Sequence, residues 1–292
     1  MKKMIEEYLK YLKNVRNYSS HTISSYESDL LSWSEYLDNK KINYLHVNKD
    51  EILGYLKYVD DNKYTNTSIA RQIASFRGFY KYLEDNKYIS TNPFLRIHNP
   101  KLKRKLPNTL NYEEIRKLLD DVELKTPRDY MEHAIFELLY ASGIRVSELV
   151  NLEEKNIDFK EMTIRVLGKG NKERIVFFGE YARDALLNYL KYRSELNIKN
   201  NKYLFLNNKG GQLSRNSVYE ILKNRVDKLS IGHPVSPHTL RHTFATDMLQ
   251  NGASIRTVQE LLGHEKLSTT QIYTHLTEDF LRKEYLDKMQ RK

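Results

Sequence analysis

The sequence predicts a mainly α protein in two domains: an all-α N-terminal domain and a helix-rich α/β domain with one small antiparallel sheet. Three observations carry this. The chain has 292 residues, which at roughly 150 residues per domain makes two. Apolar residues recur at three- and four-residue spacing through most of its length, the period of a helix with one buried face. The one sustained departure is a pair of β-branched and aromatic runs in the second half, Thr163-Ile164-Arg165-Val166-Leu167 and Arg174-Ile175-Val176-Phe177-Phe178, which read as two strands of a hairpin.

Element by element, the first segment shows helical spacing in Ile5-Tyr8-Leu9-Leu12, Ile23-Tyr26-Leu30-Trp33-Leu37 and Ile69-Ile73-Phe76-Phe79-Tyr80-Leu83. Ser19 or Ser20 supplies an N-cap oxygen for the second of these. Trp33 and Phe79 fall on the apolar stripes and are expected in the core. A four-helix domain over residues 1–98 follows. Prolines at 93, 100 and 107 then interrupt the pattern around the basic run Lys101-Leu102-Lys103-Arg104-Lys105, which marks residues 99–106 as a linker. The second domain spans 107–292. It opens with helical spacing at Tyr112-Ile115-Leu118-Leu119 and Tyr130-Ala134-Ile135-Leu138-Leu139, ending near Gly143. The hairpin turns at Gly168-Lys169-Gly170-Asn171-Lys172, and helices follow over 181–193, 216–229, 238–250, 254–262 and 278–289. The last carries an apolar stripe of Phe280, Leu281, Tyr285, Leu286 and Met289, which something must cover.

Composition narrows the function. Lys and Arg number 48 against 38 Asp and Glu, a net charge of +10 with a pI near 9.3. That favours a polyanionic partner, nucleic acid first. Residues 1–106 hold 19 basic and 12 acidic groups against 29 and 26 in the remainder, so the smaller segment carries most of the excess. Hydrophobic residues make up 40% of the chain and 22 residues are Tyr, too much apolar material for a disordered protein despite a mean hydropathy of -0.68. No apolar run approaches the roughly 18 residues of a membrane span, and the N-terminus lacks a signal-peptide core; a cytoplasmic protein is expected. With no Cys, chemistry must use oxygen and nitrogen groups.

Three clusters carry that chemistry. In Pro237-His238-Thr239-Leu240-Arg241-His242, a helix starting at the proline puts His238 and Arg241 on one face. An imidazole and a guanidinium can then address one ligand, and the planar guanidinium fork suits phosphate. His238 and His242 also have metal-ligand spacing, but the Glu of a zinc-protease helix and a third ligand are both missing. In Leu261-Leu262-Gly263-His264 the glycine ends a helix, so His264 projects from the turn, and Tyr273 follows within Thr269-Thr270-Gln271-Ile272-Tyr273-Thr274-His275. In Ser142-Gly143-Ile144-Arg145-Val146-Ser147-Glu148-Leu149, Arg145 begins a helix just after a glycine turn and Glu148 stands one turn on. Taken singly, each is compatible with a structural role.

Together these segments resemble the tyrosine recombinases, or phage integrase family, most closely the Xer type. The resemblance covers nearly the whole chain and rests on five motifs in order: 142–149, Gly168-Lys169-Gly170-Asn171-Lys172-Glu173-Arg174, 238–242, 261–264 and 269–275. It implies Arg145 and Arg241 as catalytic arginines, Lys169 as the hairpin lysine, His238 and His264 as the two histidines, Tyr273 as nucleophile and Glu148 as a supporting carboxylate. It implies an α-helical core-binding domain and a catalytic domain closing as a C-shaped clamp on duplex DNA. Lys103, Arg104 and Lys105 of the basic run, with Arg71 and Arg77, are expected as DNA-binding residues. The resemblance also implies four protomers on two sites, strand exchange through a 3′-phosphotyrosyl intermediate and a Holliday junction, and no metal, cofactor or ATP. A second recombinase in a heterotetramer and a regulatory partner protein are compatible with that type, as are nucleoid association and roles in chromosome dimer resolution or mobile-element integration. The lack of a further arm-binding domain ahead of residues 1–98 favours a simple Xer-like system.

The chemistry of the residues agrees. In-line attack on a phosphodiester builds charge on the non-bridging oxygens, and fixed guanidiniums stabilise it without a metal. A phenol with a pKa of about 10 is ionised about once in a thousand at pH 7, a deficit of roughly 4 kcal/mol, so nearby cations and a histidine base must offset it. Two other readings stand beside this one: a type IB topoisomerase-like enzyme acting as a monomer, and a non-catalytic architectural DNA-binding protein in which the tyrosine is incidental.

Overall fold

The structure, a computed structural model, describes residues 1–101, 108–168, 173–196, 202–263 and 278–289. It divides into two compact units, Met1–Lys105 and Leu106–Lys292.

The first unit is a bundle of α1 (Lys2–Asn14), α2 (Ser20–Asn39), α3 (Lys49–Asp61) and α4 (Asn66–Asp85). Each of the last three begins at a side-chain cap. Ser19 accepts from the Thr22 amide, Thr65 from the Ser68 amide, and Asn48 forms a reciprocal box with Glu51, which satisfies amides that have no partner within the helix. The apolar stripes read from the sequence meet around Trp33. Its ring lies edge-on to Tyr55 at 4.8 Å and stacked on Phe76 at 5.4 Å, and its indole N–H donates to the Tyr80 hydroxyl at 3.2 Å. Trp33 and Phe79 are fully buried. Burying a large apolar side chain contributes about 1.5–3 kcal/mol, so each ring of this aromatic cluster adds to the stability of the unit alongside the aliphatic residues of the same core. Phe94 and Ile97 belong to the same core.

The second unit begins with α5 (Tyr112–Leu119), α6 (Pro127–Ser142) and a four-residue α7 (Val146–Leu149). Strands β1 (Ile157–Asp158), β2 (Thr163–Leu167) and β3 (Glu173–Phe177) form an antiparallel sheet in that order. Thr163 pairs with Phe177 and Leu167 with Glu173, the hairpin expected from the two β-branched runs. β1 was not expected, because two residues are too short to show a period. Then come α8 (Glu180–Arg193), α9 (Arg215–Lys228), α10 (Pro237–Gln250), α11 (Ile255–Leu262) and α12 (Glu278–Lys288). The molecule is therefore mainly α with a small antiparallel sheet. Among the described residues no helix is long and apolar enough to cross a membrane.

In this single chain α12 lies on its own unit. Tyr285 is buried against Phe177 and Phe244, and its hydroxyl donates to the Ala141 carbonyl at 2.9 Å. Phe280 and Leu286 of the same stripe stay exposed: an 11-residue helix with apolar residues at 280, 281, 285 and 286 cannot turn all of them to one surface.

Candidate functional site

The site grows from two helix ends. α6 and α11 both stop at a glycine in the left-handed conformation, Gly143 at φ 58° and Gly263 at φ 63°. Neither position has room for a side chain. A Cβ on Gly143 would sit 2.6 Å from the Phe244 ring, and one on Gly263 would sit 2.7 Å from Nε of Arg174. Helix C-termini carry carbonyls without intrahelical partners and a partial negative charge. Two arginines satisfy them. Arg241 donates to the Gly143 carbonyl at 2.5 Å and the Leu262 carbonyl at 2.6 Å, and Arg145 donates to the Gly263 carbonyl at 3.0 Å. The same contacts that finish the helices therefore aim two guanidiniums at one place.

Arg241 arrives there because α10 starts where its sequence says. Ser236 caps it, Pro237 occupies the first turn, and Leu240, Phe244 and Met248 form its buried stripe, which leaves Arg241 on the flank facing the two glycine turns. Burial, followed by the nearby charge of Arg145, pulls the Arg241 guanidinium down to about 10, still charged at neutral pH. His238, one turn earlier, keeps part of its side chain open to solvent. Partial burial and the charges of Arg241, His242 and Arg145 hold its imidazole below the usual histidine value, so it is mostly neutral at pH 7 and able to accept a proton.

Arg145 is the N-cap residue of α7. Its amide donates to one oxygen of Glu148 at 2.8 Å and its guanidinium to the other at 3.0 Å, so the i,i+3 carboxylate does orient it. Glu148 is only 3% exposed. Burial works to raise its carboxyl, but hydrogen bonds and charge from Arg174, with those from Arg145, outweigh that and hold it below the ordinary glutamate value. Arg174 was not singled out by the sequence reading, although it lies within the motif at 168–174. It donates to both Glu148 oxygens, at 2.6 and 2.9 Å. Its signal was available: in β3 it alternates with Glu173 and Ile175 and shares the inward face with buried Val176. A charged residue on the buried face of a strand calls for a buried partner.

Of the residues expected in the site, Arg145, Glu148, His238 and Arg241 thus lie on the adjoining elements α7 and α10. Lys169, His264 and Tyr273 lie outside the described residues, as do Lys103, Arg104 and Lys105. In the first unit, Arg71 bonds the Asp29 carboxylate and the Ser25 carbonyl while its side chain stays 44% exposed. Arg77 is turned inward instead, donating to the Phe94 carbonyl at 3.2 Å and the Ile97 carbonyl at 2.7 Å. That guanidinium stitches the chain after α4 to the bundle. No group of three or more His, Cys, Asp or Glu arranged for a metal occurs among the described residues.

Comparison with known proteins places this geometry. Residues 108–279 match the phage integrase family and residues 5–87 its N-terminal SAM-like domain. The chain is 40% identical over 282 residues to tyrosine recombinase XerC of Staphylococcus aureus strain JH9, covering 97% of this chain and 95% of the relative. It is 41% identical over 288 residues to tyrosine recombinase XerC of Halalkalibacterium halodurans, covering 96% and 95%. The crystal structure of XerA recombinase aligns with a TM-score of 0.50 at 29% identity over 97% of both chains. XerH bound to a palindromic difH substrate in a post-cleavage complex aligns at 0.72 with 24% identity, over 90% of this chain and 78% of that one. The chain belongs to the phage integrase family, and within it to the Xer-type tyrosine recombinases, which makes it a site-specific, DNA strand-exchanging enzyme.

Proposed function

We propose that the reaction proceeds by attack of the Tyr273 hydroxyl on a phosphodiester held by Arg145 and Arg241. The observation that carries this is the double anchoring of both guanidiniums on helix-terminal carbonyls and Glu148. Each guanidinium has more N–H donors than these bonds use, and the remainder are pre-oriented for a phosphate. The Tyr273 oxygen forms a bond to phosphorus as the bond to the 5′-oxygen breaks. His238, neutral at pH 7, takes the phenolic proton. Lys169 protonates the departing 5′-oxygen, and His264 donates a hydrogen bond to a non-bridging oxygen. The 3′-phosphotyrosyl ester retains the energy of the broken bond, so the 5′-hydroxyl of a second strand reverses the step without ATP. The cationic side chains supply the charge that a metal would otherwise bring.

In the same reading, residues 1–98 form the core-binding domain, 99–106 a basic strap along the phosphate backbone and 107–292 the catalytic domain, the two closing on duplex DNA as a clamp. The excess charge of the N-terminal segment supports contact with DNA there, and half-exposed Arg71 is better placed for it than Arg77. Two protomers occupy one site and four exchange strands between two sites, alone or with a related recombinase and a regulatory partner. The enzyme works at the nucleoid in the cytoplasm. Similarity to XerC proteins along nearly the whole chain favours chromosome dimer resolution over integration as its task. A nicked suicide duplex tests the chemistry: the wild type forms a covalent protein–DNA adduct, and Tyr273→Phe binds equally but forms none. An adduct with the Phe variant moves the nucleophile elsewhere.

A further inference from the structure

We propose that Arg174 is a positioning residue for strand cleavage, which keeps Glu148 from capturing the donors that Arg145 must offer to the phosphate. The inference rests on the reading that Arg145 holds the scissile phosphate.

Glu148 lies between two guanidiniums. Left to itself, a carboxylate beside an arginine adopts the paired arrangement in which both oxygens meet two parallel N–H groups. Around Glu148 that arrangement is made by Arg174, whose two outer nitrogens take one oxygen each. Arg145 therefore makes a single side-chain bond to Glu148, at 3.0 Å, with its second outer nitrogen on the Gly263 carbonyl at 3.0 Å. Without Arg174, the second Glu148 oxygen is held, among the described residues, only by the Arg145 amide at 2.8 Å; exchanging that one bond for a fork onto the Arg145 side chain draws its second nitrogen off Gly263 and turns the plane of the guanidinium away from the substrate.

Arg174 also bears on the other anchor. The Gly263 turn passes directly over its side chain, since a Cβ there would lie 2.7 Å from Nε and 2.8 Å from Cδ. Both groups that hold Arg145 thus rest on Arg174. The arrangement is costly for the fold. Arg174 is 17% exposed, and its Nε is buried without a partner among the described residues. Replacing such a group whole with packed apolar residues is often neutral or better for stability, whereas removing one partner alone is destabilising. Among the described residues, the charged groups bearing on Glu148 are Arg145, Arg174 and Arg241, three cations against one carboxylate, a surplus that suits a site waiting for an anion.

The test uses the full chain and a nicked suicide duplex carrying its recombination site. Arg174→Met is expected to bind the duplex as the wild type does and to form the covalent adduct about 10²-fold more slowly, the effect of a misplaced reacting group. Adding Glu148→Gln in that background removes the capturing carboxylate and is expected to restore part of the rate, a reversal that a purely structural role does not give. If Arg174→Met does not fold, Arg174→Lys carries the test. Its single nitrogen cannot occupy both oxygens, so it too is slow and too is relieved by Glu148→Gln. Wild-type cleavage by the folded single variant, or a double variant no faster than the single, overturns the inference. Arg145→Ala serves as the control. Slow cleavage there with normal cleavage by the Arg174 variant defeats this inference alone, whereas normal cleavage by Arg145→Ala defeats the reading beneath it.

Discussion

Replacing Arg241 by Lys keeps the charge and removes the fork. In the wild type one outer nitrogen donates to the Gly143 carbonyl and the other to the Leu262 carbonyl, at 2.5 and 2.6 Å. A lysine ammonium sits at one point and cannot bridge both while also facing a substrate. One half-buried carbonyl therefore loses its donor, at about 1–3 kcal/mol of stability. The phosphate loses an oriented donor, worth about 3 kcal/mol in the transition state, or on the order of 10²–10³ in rate. The surroundings add a pH signature. Burial and the charge of Arg145 pull the arginine to about 10, and the same forces act on an ammonium whose ordinary value is about 10.4. Residual cleavage by Arg241→Lys should then fall as the pH rises toward about 9, where the wild-type guanidinium stays charged. Single-turnover adduct formation on a nicked duplex from pH 6 to 9, with urea unfolding alongside, measures both effects. Cleavage by the variant within about threefold of wild type, with an unchanged pH profile, refutes the argument.

Gly143→Ala forces φ 58° on a residue with a Cβ and drives that carbon to 2.6 Å from Phe244 and 2.9 Å from a Leu262 methyl. A loss of about 1–3 kcal/mol in urea unfolding is expected, together with slower cleavage as the Arg241 anchor shifts; unchanged stability contradicts the packing argument. Glu148 has its carboxyl held below the ordinary value, so its stabilisation is complete above about pH 4.3 and is lost as the pH falls through the folded-state value. Glu148→Gln should be less stable at pH 7 and should lose less between neutral and acid pH than the wild type; parallel stability curves over pH 2.5–7 rule this out. Replacing Lys103, Arg104 and Lys105 together by Ala should weaken binding similarly at all DNA sequences and reduce the salt slope by about 0.9 for each phosphate that is no longer neutralised. An unchanged slope in a titration of affinity against salt makes the run a solvated connector.

Much of the architecture was legible because it is local. Helical spacing placed α1, α2 and α4, Ser19 and Pro237 marked helix starts, and the β-branched runs marked the hairpin, since capping and period are properties of neighbouring residues. The candidate site was legible in part, because Arg145 with Glu148 and His238 with Arg241 lie three residues apart within one helical turn. β1 was lost because two residues carry no period. Arg174 was lost because its meaning depends on a carboxylate 26 residues away in sequence.

By itself, then, the sequence determined that the chain is helix-rich with one hairpin, that it is strongly basic, and that it carries the motifs of a recombinase. Only the tertiary structure decided that Arg241 and Arg145 finish two separate helices, that Arg77 faces the bundle while Arg71 faces solvent, and that α12 covers Phe244 in its own unit. The physical reason is the range of the forces. Caps, turns and periodic burial act over a few residues of chain, whereas a guanidinium choosing between a phosphate, a carboxylate and a helix-terminal carbonyl responds to what packing brings within about 3 Å of it, wherever in the sequence that partner lies.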